Sequence, residues 1–168
     1  VLHLVNLAAP SAPPIPIANV AEFAFDDAAQ WIAYAIATPD ELGNSLQLRR
    51  LSTGETRVLD TYKASYRRIT WADSSTALAA LRVDSDTSNS VDEIVTALVW
   101  PRVATPAEML IIDGKTSGLP AGQVLSADYA IAFSATANAL YVGLRAPRPP
   151  RPRTSGPGAS ASSAPAPG

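Results

Sequence analysis

Few side chains in this sequence have the types and spacing needed for hydrolytic chemistry. A serine hydrolase of the α/β class needs Gly-x-Ser-x-Gly, because only small residues fit beside a Ser on a strained strand-to-helix turn. That pentad is absent from the 168 residues, and the nearest cluster, TSGPGAS at 154–160, has no strand or helix pattern around it. The single His, His3, lies in an apolar run, where a strand residue is expected rather than a base. The sequence therefore predicts no catalytic triad and no enzyme activity for this chain alone.

One acidic stretch, DSDTSNSVDE at 84–93, begins with the oxygen-ligand spacing of an EF-hand calcium loop. Asp84, Asp86 and Ser88 would supply those oxygens. The Gly that makes the sharp turn is replaced by Asn89, and the bidentate Glu at the twelfth position by Val95. We therefore expect a solvated loop between strands and no metal site.

Other residues could bind a ligand, a partner or a phosphate group. The basic and aromatic candidates are Arg49-Arg50, Arg67-Arg68, Trp31 and Trp71. Alternation along a strand places one Arg of each pair in solvent, and the repeat positions of the two Trp residues favour a core role. The turns GETR at 54–57 and DGKT at 113–116 lack the glycine spacing and following helix of a phosphate loop. We therefore expect no bound cofactor.

Composition excludes several classes of protein. No apolar run reaches the roughly 18 to 20 residues of a membrane span, and the absence of Cys excludes disulfides. The net charge is −2, but three of the thirteen basic residues lie after residue 145, leaving ten against fifteen acidic residues before it. A net negative charge over residues 1–145 makes nucleic acid an unexpected partner.

The last 23 residues, at 146–168, contain seven Pro and almost no large apolar side chain. Such a segment cannot offset the entropy cost of ordering, so we predict a disordered Pro-rich tail or linker. Its RPPRPR core at 148–153 has the Pro spacing of an SH3-domain ligand. The flanking Arg that such ligands carry is missing, so a plain linker is favoured.

An internal repeat organises the remaining sequence. Three segments align without gaps: FDDAAQWIAYAI from Phe25, WADSSTALAALR from Trp71 and FSATANALYVGL from Phe133. Each begins with an aromatic residue and regains a large aliphatic residue at the eighth position. The first copy alone could be an Ala-rich helix. The other copies have β-branched and aromatic residues around Ser, Asp, Thr and Asn clusters, which favours β-hairpins near 23–36, 67–83 and 129–144.

A second kind of hairpin lies between these copies. LQLRRLSTGETRVL at 46–59 alternates Leu with polar residues around a Gly turn, which predicts an outer hairpin. MLIIDGKTS at 109–117 predicts a second outer hairpin around Asp113-Gly114. Residues 1–17 resemble the outer strands of a further, incomplete unit. An inner hairpin that is apolar on both faces, followed by an outer hairpin that is apolar on one, is typical of radial four-stranded sheets. The sequence therefore predicts an all-β fold, a partial β-propeller of about three four-stranded antiparallel blades over 18–145. We expect an incomplete arc, in which Phe25 and Ile32 pack between sheets.

The repeat resembles that of TolB-like proteins and prolyl-oligopeptidase relatives, whose usual form is aromatic-Ser-Pro-Asp-Gly-x-x-aliphatic-Ala. In this sequence the Asp-Gly turn is replaced by Ala28-Ala29, Ser74-Ser75 and Thr136-Ala137. The longer phrases LQLRRLSTGETRVLD, YKASYRRITWADSSTALAALR and LPAGQVLSADYAIAFSATANALYVGLR follow one another much as in the N-terminal propeller of bacterial prolyl-oligopeptidase-like serine peptidases. The similarity covers about residues 18–145.

This resemblance implies a function for the chain as part of a longer protein. In the peptidase family the propeller caps an α/β-hydrolase domain with a Ser-Asp-His triad and screens peptide substrates by size. The chain would then be a non-catalytic segment that gates access and packs against that domain. The sequence leaves the compartment open, and the resemblance favours a periplasmic or secreted protein. The alternative is a TolB-like propeller that binds a protein partner and has no enzyme attached.

Overall fold

A computed structural model describes residues 1–73, 76–84, 93–105 and 108–148 of the chain. These residues form an all-β structure with almost no helix. Among them, no helix has the length and hydropathy needed to cross a bilayer. The strands are connected as several antiparallel sheets, which confirms the all-β, antiparallel part of the predicted fold.

Two four-stranded antiparallel sheets contain most of the strand residues that the structure describes, and in each the strands follow one another in chain order. Unit 1 consists of β3 (Val20–Phe25), β4 (Trp31–Ile36), β5 (Ser45–Arg50) and β6 (Thr56–Thr61). Unit 2 consists of β7 (Ser65–Trp71), β8 (Leu78–Asp84), β9 (Ile94–Trp100) and β10 (Leu110–Ile112). Each is a meander whose first strand forms one edge.

The remaining strands form two-stranded pairs. At the start of the chain, β1 (Leu2–Leu4) pairs with β2 (Ile15–Ile17). Unit 3 consists of β11 (Val124–Leu125), β12 (Ala132–Phe133), β13 (Leu140–Tyr141) and β14 (Leu144–Arg145). Here β12 pairs with β13 and β11 with β14, so unit 3 is not the four-stranded sheet that the sequence predicts.

The three hairpins predicted from the repeat are present as β3–β4, β7–β8 and β12–β13. Their turns have the same backbone hydrogen bond, from Asp26 N to Trp31 O, from Ala72 N to Ala77 O and from Ser134 N to Ala139 O. Side chains reinforce two of these turns, because Trp31 N donates to Asp26 Oδ1 at 2.7 Å and Ala139 N donates to Ser134 Oγ at 3.2 Å. The repeat in the amino-acid sequence therefore corresponds to a repeated hairpin in the structure.

The predicted outer hairpin around Asp113-Gly114 is wrong. The partner of β10 is β9, which precedes it in the chain, and the sequence IVTALVW of β9 was not identified as a strand. An Asp-Gly turn makes a hairpin only between two alternating strands, and KTSGLPAGQ after Asp113 has no such alternation. By contrast, the outer hairpin β5–β6 around Gly54 is present.

Burial follows the order of the strands only in part. The second strands β4 and β8 are buried almost throughout, as expected for strands covered on both faces, whereas the residues of the last strands β6 and β10 are exposed or half-buried. The third strand β9 is also buried on both faces, contrary to the expectation of an outer hairpin with one face in water. Phe25 is 45% exposed, so its expected packing between sheets is wrong, whereas Ile32 is fully buried.

Two apolar layers join the three units. In β8, alternate side chains contribute to different layers: Leu78 and Ala80 pack toward unit 1, whereas Ala79 and Leu81 pack toward unit 3. We call the side of a unit that faces the preceding unit its front face, and the other side its back face. The back face of unit 1 therefore packs on the front face of unit 2, and the back face of unit 2 packs on the front face of unit 3. Of the tail predicted at 146–168, residues 149–168 lie outside the described residues.

The turn of the repeat contains an unusual backbone conformation. Ala29 and Ala137, which align with the Gly of the family pattern, have φ of 50° and 54°. A left-handed conformation costs an L-residue roughly 1–2 kcal/mol, whereas Gly adopts it freely. We therefore expect Ala29→Gly to raise the free energy of unfolding by about 0.5–1 kcal/mol, after the entropy cost of Gly is deducted.

The measurement is urea denaturation followed by Trp fluorescence. The matched control is Ala28→Gly in the same turn, where φ is not positive and Gly should only destabilise. Equal effects of the two substitutions would contradict a strained turn at Ala29.

Candidate functional site

The first strands of the three units lie side by side. Between units 1 and 2, the indole Nε1 of Trp71 donates a hydrogen bond to the carbonyl oxygen of Ala24 at 3.1 Å. Between units 2 and 3, the hydroxyl of Thr70 donates to the carbonyl oxygen of Ile131 at 3.4 Å. We call this arrangement of β3, β7 and residues 124–133 the inner-strand row. It is the place where side chains from three repeats meet.

Each first strand has an irregular register with its partner strand. The irregularity lies between Val20 and Glu22 in β3, and between Arg67 and Thr70 in β7. In unit 3 the corresponding segment is longer, because residues 127–131 lie between the pairing at Ser126 and the pairing at Ala132. A bulge interrupts the ladder and redirects the side chains beside it. The three irregularities place polar groups at the contacts between units.

Two charged side chains bridge these bulges. Glu22 accepts a 2.7 Å hydrogen bond from the backbone N–H of Ile69, through Oε1. Arg68, whose φ is 58°, donates from its guanidinium group to the carbonyl oxygens of Ala127 and Asp128, each at 3.2 Å. Glu22 therefore joins unit 1 to unit 2, and Arg68 joins unit 2 to unit 3.

The partners of Glu22 and Arg68 indicate what the inner-strand row can do chemically. Both charged groups bond to backbone atoms of the next unit. The row is therefore suited to holding the first strands of the units at a fixed spacing.

A second polar cluster joins units 1 and 2 at the end of β6. Asp60 Oδ2 accepts hydrogen bonds from the hydroxyl of Tyr66 at 2.7 Å and from Arg82 Nη1 at 3.1 Å. The Arg82 guanidinium also lies over the Tyr62 ring, 4.4 Å from its centroid. Burial raises the pKa of Tyr66 well above its usual range, and the hydrogen bond to the Asp60 carboxylate adds to this effect. The cluster keeps the Tyr66 hydroxyl protonated as a donor.

An apolar groove of about 760 Å³ lies between the N-terminal hairpin and the front face of unit 1. Its lining includes all of β1, residues 5–7 and Ile15 on one side, and Phe23, Phe25 and Arg49 on the other. Phe23 and Phe25 are 46% and 45% exposed. The groove is thus a half-covered apolar surface.

Most of the residues that the sequence offers as site candidates make structural contacts. His3 is an exposed residue of β1 opposite Pro16, as expected for a strand residue. Trp31 is buried in the layer between units 1 and 2, and Trp71 packs against that layer. Arg49 donates to the Thr56 hydroxyl at 3.2 Å.

The other paired Arg residues differ in their contacts. Arg50 lies over the Trp31 ring, with its guanidinium carbon 5.4 Å from the centroid. Arg67 lies 4.0 Å from Glu93 and is exposed. Arg68 contacts the next unit of the same chain, while the exposed Arg67 is the solvent-facing member that alternation predicts for this pair.

The candidate ion sites give no assembled ligand set. Residues 85–92 of the acidic stretch, with Asp86, Ser88 and Asn89, lie outside the described residues, and Val95 is a buried residue of β9. Nor do the residues that are described bring three or more His, Cys, Asp or Glu side chains together. The serine cluster at 154–160 also lies outside the described part.

Glu22, Asp60 and Tyr66 were not singled out in the sequence. Their partners are far away in the chain: Glu22 and Ile69 are 47 positions apart. A signal for Glu22 does exist, because it is the one charged residue in the apolar strand VAEFAF. A charged residue in a strand that packs on a neighbour needs a polar partner there.

Comparisons with known proteins found no match. No protein-family model, no curated protein and no solved structure matches the chain. The likeness to prolyl-oligopeptidase-like peptidases therefore stays a prediction from the quoted sequence phrases.

The Glu22 contact can be tested by substitution. Glu22→Ala leaves the Ile69 N–H without its acceptor at the contact between units, and we expect a loss of about 1–3 kcal/mol in the free energy of unfolding. Glu22→Gln is the matched control, since an amide oxygen still accepts the bond, and should cost less. Chemical denaturation of both variants measures the difference. Equal stability of Glu22→Ala and the parent chain would show that the bond does not join the units.

The Tyr66 cluster predicts a dependence of stability on alkaline pH. The pKa of Tyr66 is raised in the folded state, so its contribution is complete below the unfolded value of about 10 and is lost as pH rises above it. The free energy of unfolding of the parent chain should therefore fall faster than that of Tyr66→Phe above pH 10, by up to about 1.4 kcal/mol per pH unit.

Urea denaturation between about pH 9 and pH 11.5 measures this difference. Tyr129→Phe, which removes an exposed hydroxyl, is the control and should follow the parent curve. Parallel curves for Tyr66→Phe and the parent chain would rule out the proposed contribution.

Proposed function

We propose that the chain is a non-catalytic segment of a β-propeller that gates substrate access and packs against the α/β-hydrolase domain of a prolyl-oligopeptidase-like serine peptidase. The observation that carries the proposal is the inner-strand row. Three repeated hairpins place their first strands β3, β7 and β12 next to one another, with the turns at equivalent positions. Side-by-side first strands are the arrangement that a radial array of sheets requires.

The gating role follows from the position of this row. In a closed radial array the first strands border a central channel. Glu22 and Arg68 bond to the backbone of the neighbouring unit, which fixes the spacing between first strands. A channel with fixed walls admits a short extended peptide and excludes a folded protein. The selection is steric and needs no catalytic residue in this segment.

The reaction itself would depend on residues outside this chain. The sequence contains no Gly-x-Ser-x-Gly, and its one His lies in β1 beside an apolar groove. In this proposal the nucleophile, the base and the acid all come from the hydrolase domain. The propeller would contribute the channel through which a peptide reaches these catalytic residues.

The groove over Phe23 and Phe25 favours a second candidate, a TolB-like propeller that binds a protein partner. Half-exposed aromatic side chains beside a cavity of about 760 Å³ are typical of surfaces that another protein covers. The two candidates differ in whether a hydrolase domain belongs to the same protein.

The reading frame beyond Gly168 distinguishes them. We expect further blade repeats, then Gly-x-Ser-x-Gly, then Asp and His in that order. A frame that continues without a hydrolase domain would contradict the peptidase proposal and favour the partner-binding propeller.

An assay on the 168-residue chain tests its non-catalytic role. We expect no sustained hydrolysis of peptide esters and no labelling by a fluorophosphonate, which reacts with activated Ser nucleophiles. The positive control is a known serine hydrolase in the same buffer. Steady turnover that the fluorophosphonate abolishes would show that the chain itself contains an active site.

A further inference from the structure

The groove between the N-terminal hairpin and unit 1 has the size and the lining of a small-molecule site. Its volume is about 760 Å³. Sites for small molecules measure roughly 300–1,000 Å³, and their walls are mostly apolar with a few polar groups that orient the ligand. Here β1 and residues 5–7 form one wall, and Phe23, Phe25 and Arg49 belong to the other. A ligand in the groove would therefore bury an apolar body beside one cationic side chain.

Phe25 and Arg49 belong to one row of side chains across the front face of unit 1. In the sheet register, Phe25 lies opposite Ile32, and Ile32 lies opposite Arg49. Residues that lie opposite one another in an antiparallel pair have their side chains on the same face. Ile32 is fully buried, whereas Phe25 is 45% exposed and Arg49 is half-buried. The row thus presents an aromatic ring at one end and a guanidinium group further along.

The guanidinium group of Arg49 has no acid partner in the part of the chain that the structure describes. Its Nη1 donates to the Thr56 hydroxyl at 3.2 Å, and no carboxylate of the described residues forms an ion pair with it. A guanidinium group carries several further N–H donors in a planar fork. The adjacent Arg50 lies instead over the ring of Trp31, in the apolar layer on the back face of unit 1. Arg49 is therefore the arginine that a ligand in the groove would meet.

We propose that this groove binds a small organic anion with an apolar body and one carboxylate. The apolar body would lie over Phe23 and Phe25, and the carboxylate would accept hydrogen bonds from Arg49. Bonds between a guanidinium group and a carboxylate are charge-assisted and can be bidentate. A neutral apolar occupant would partly desolvate the guanidinium group without offering it an acceptor, which is unfavourable. The charge of Arg49 therefore favours an acid over an apolar stretch of polypeptide.

This inference goes beyond the proposed function and does not depend on it. The gating role depends on the contacts between first strands, whereas the groove depends on β1 and the front face of unit 1. The reading frame decides the peptidase proposal and ligand binding decides this one, so the two can fail separately. The partner-binding candidate places a protein on the same groove, and the experiment below separates these two occupants.

The experiment is an NMR titration of the 168-residue chain with sodium octanoate and, separately, with 1-octanol. The two probes have the same chain length and differ in the carboxylate. We expect octanoate to bind saturably with a Kd below about 1 mM, and at least about 10-fold more tightly than 1-octanol. Absence of saturable octanoate binding, or equal affinity for the two probes, would overturn the proposal. This comparison uses the parent chain and so needs no folded variant.

Two neighbouring arginines give a matched pair of variants. Arg49→Gln should weaken octanoate binding at least about 10-fold and leave 1-octanol binding nearly unchanged, because only the acid uses the guanidinium group. Arg50→Gln removes the same charge from the back-face side of the strand and should leave octanoate binding unchanged. Circular dichroism checks that both variants are folded. Equal losses in the two variants would indicate attraction by overall charge and would contradict a site at Arg49.

The aromatic wall is tested by Phe25→Ala. We expect this variant to bind octanoate and 1-octanol more weakly by similar factors, because both probes would cover the same ring. Unchanged affinity for both probes would place the ligand elsewhere and overturn the proposed groove.

A peptide tests the other occupant. Acetyl-Leu-Leu-Phe-amide has apolar side chains and no charged end, so we expect it to compete poorly with octanoate for the parent chain. A peptide that displaces octanoate and binds more tightly than it would assign the groove to a protein segment and overturn the proposal.

Discussion

The packing of one unit's front face on the previous unit's back face is the constraint on which the structure depends. Strand β8 illustrates it, because Leu78 and Leu81 point into two different apolar layers and both are buried. A sheet with two apolar faces is stable only when both are covered, since exposed apolar area costs roughly 25 cal/mol per Å². Unit 2 is packed against a neighbouring unit on both faces. In unit 1, Phe23 and Phe25 stay half-exposed because only part of their face is covered.

The polar contacts between units depend on this packing. Glu22 reaches Ile69 N, and Arg68 reaches the carbonyl oxygens at 127 and 128, only because the bulges interrupt the ladders there. A backbone group released from a ladder and placed near an apolar layer needs a partner, and the next unit supplies it. Apolar layers therefore bring the units together, and the bulge contacts determine their spacing.

The sequence predicts the hairpins well because their determinants are local. An aromatic residue, a small polar turn and an aliphatic residue at the eighth position recur in all three copies, and each copy pairs as expected. Strand β9 was missed because IVTALVW is apolar at every position except Thr96, so it lacks the alternation that identifies a half-exposed strand. The exposure of Phe25 could not be predicted, because it depends on what covers a face and not on the strand itself.

The contacts of the candidate site are harder to predict because they join distant residues. The Asp60 carboxylate lies near the end of β6, and its partners Tyr66 and Arg82 belong to the next sheet, six and 22 positions away. Nothing near Arg68 in the sequence indicates its positive φ. A strained backbone of this kind persists where surrounding contacts hold it, and here the guanidinium group bonds to unit 3. The contacts of Glu22 and Arg68 in these first strands thus depend on the neighbouring units. A repeat of this kind encodes its own hairpins, whereas the contacts between hairpins are encoded by the few residues that break the repeat.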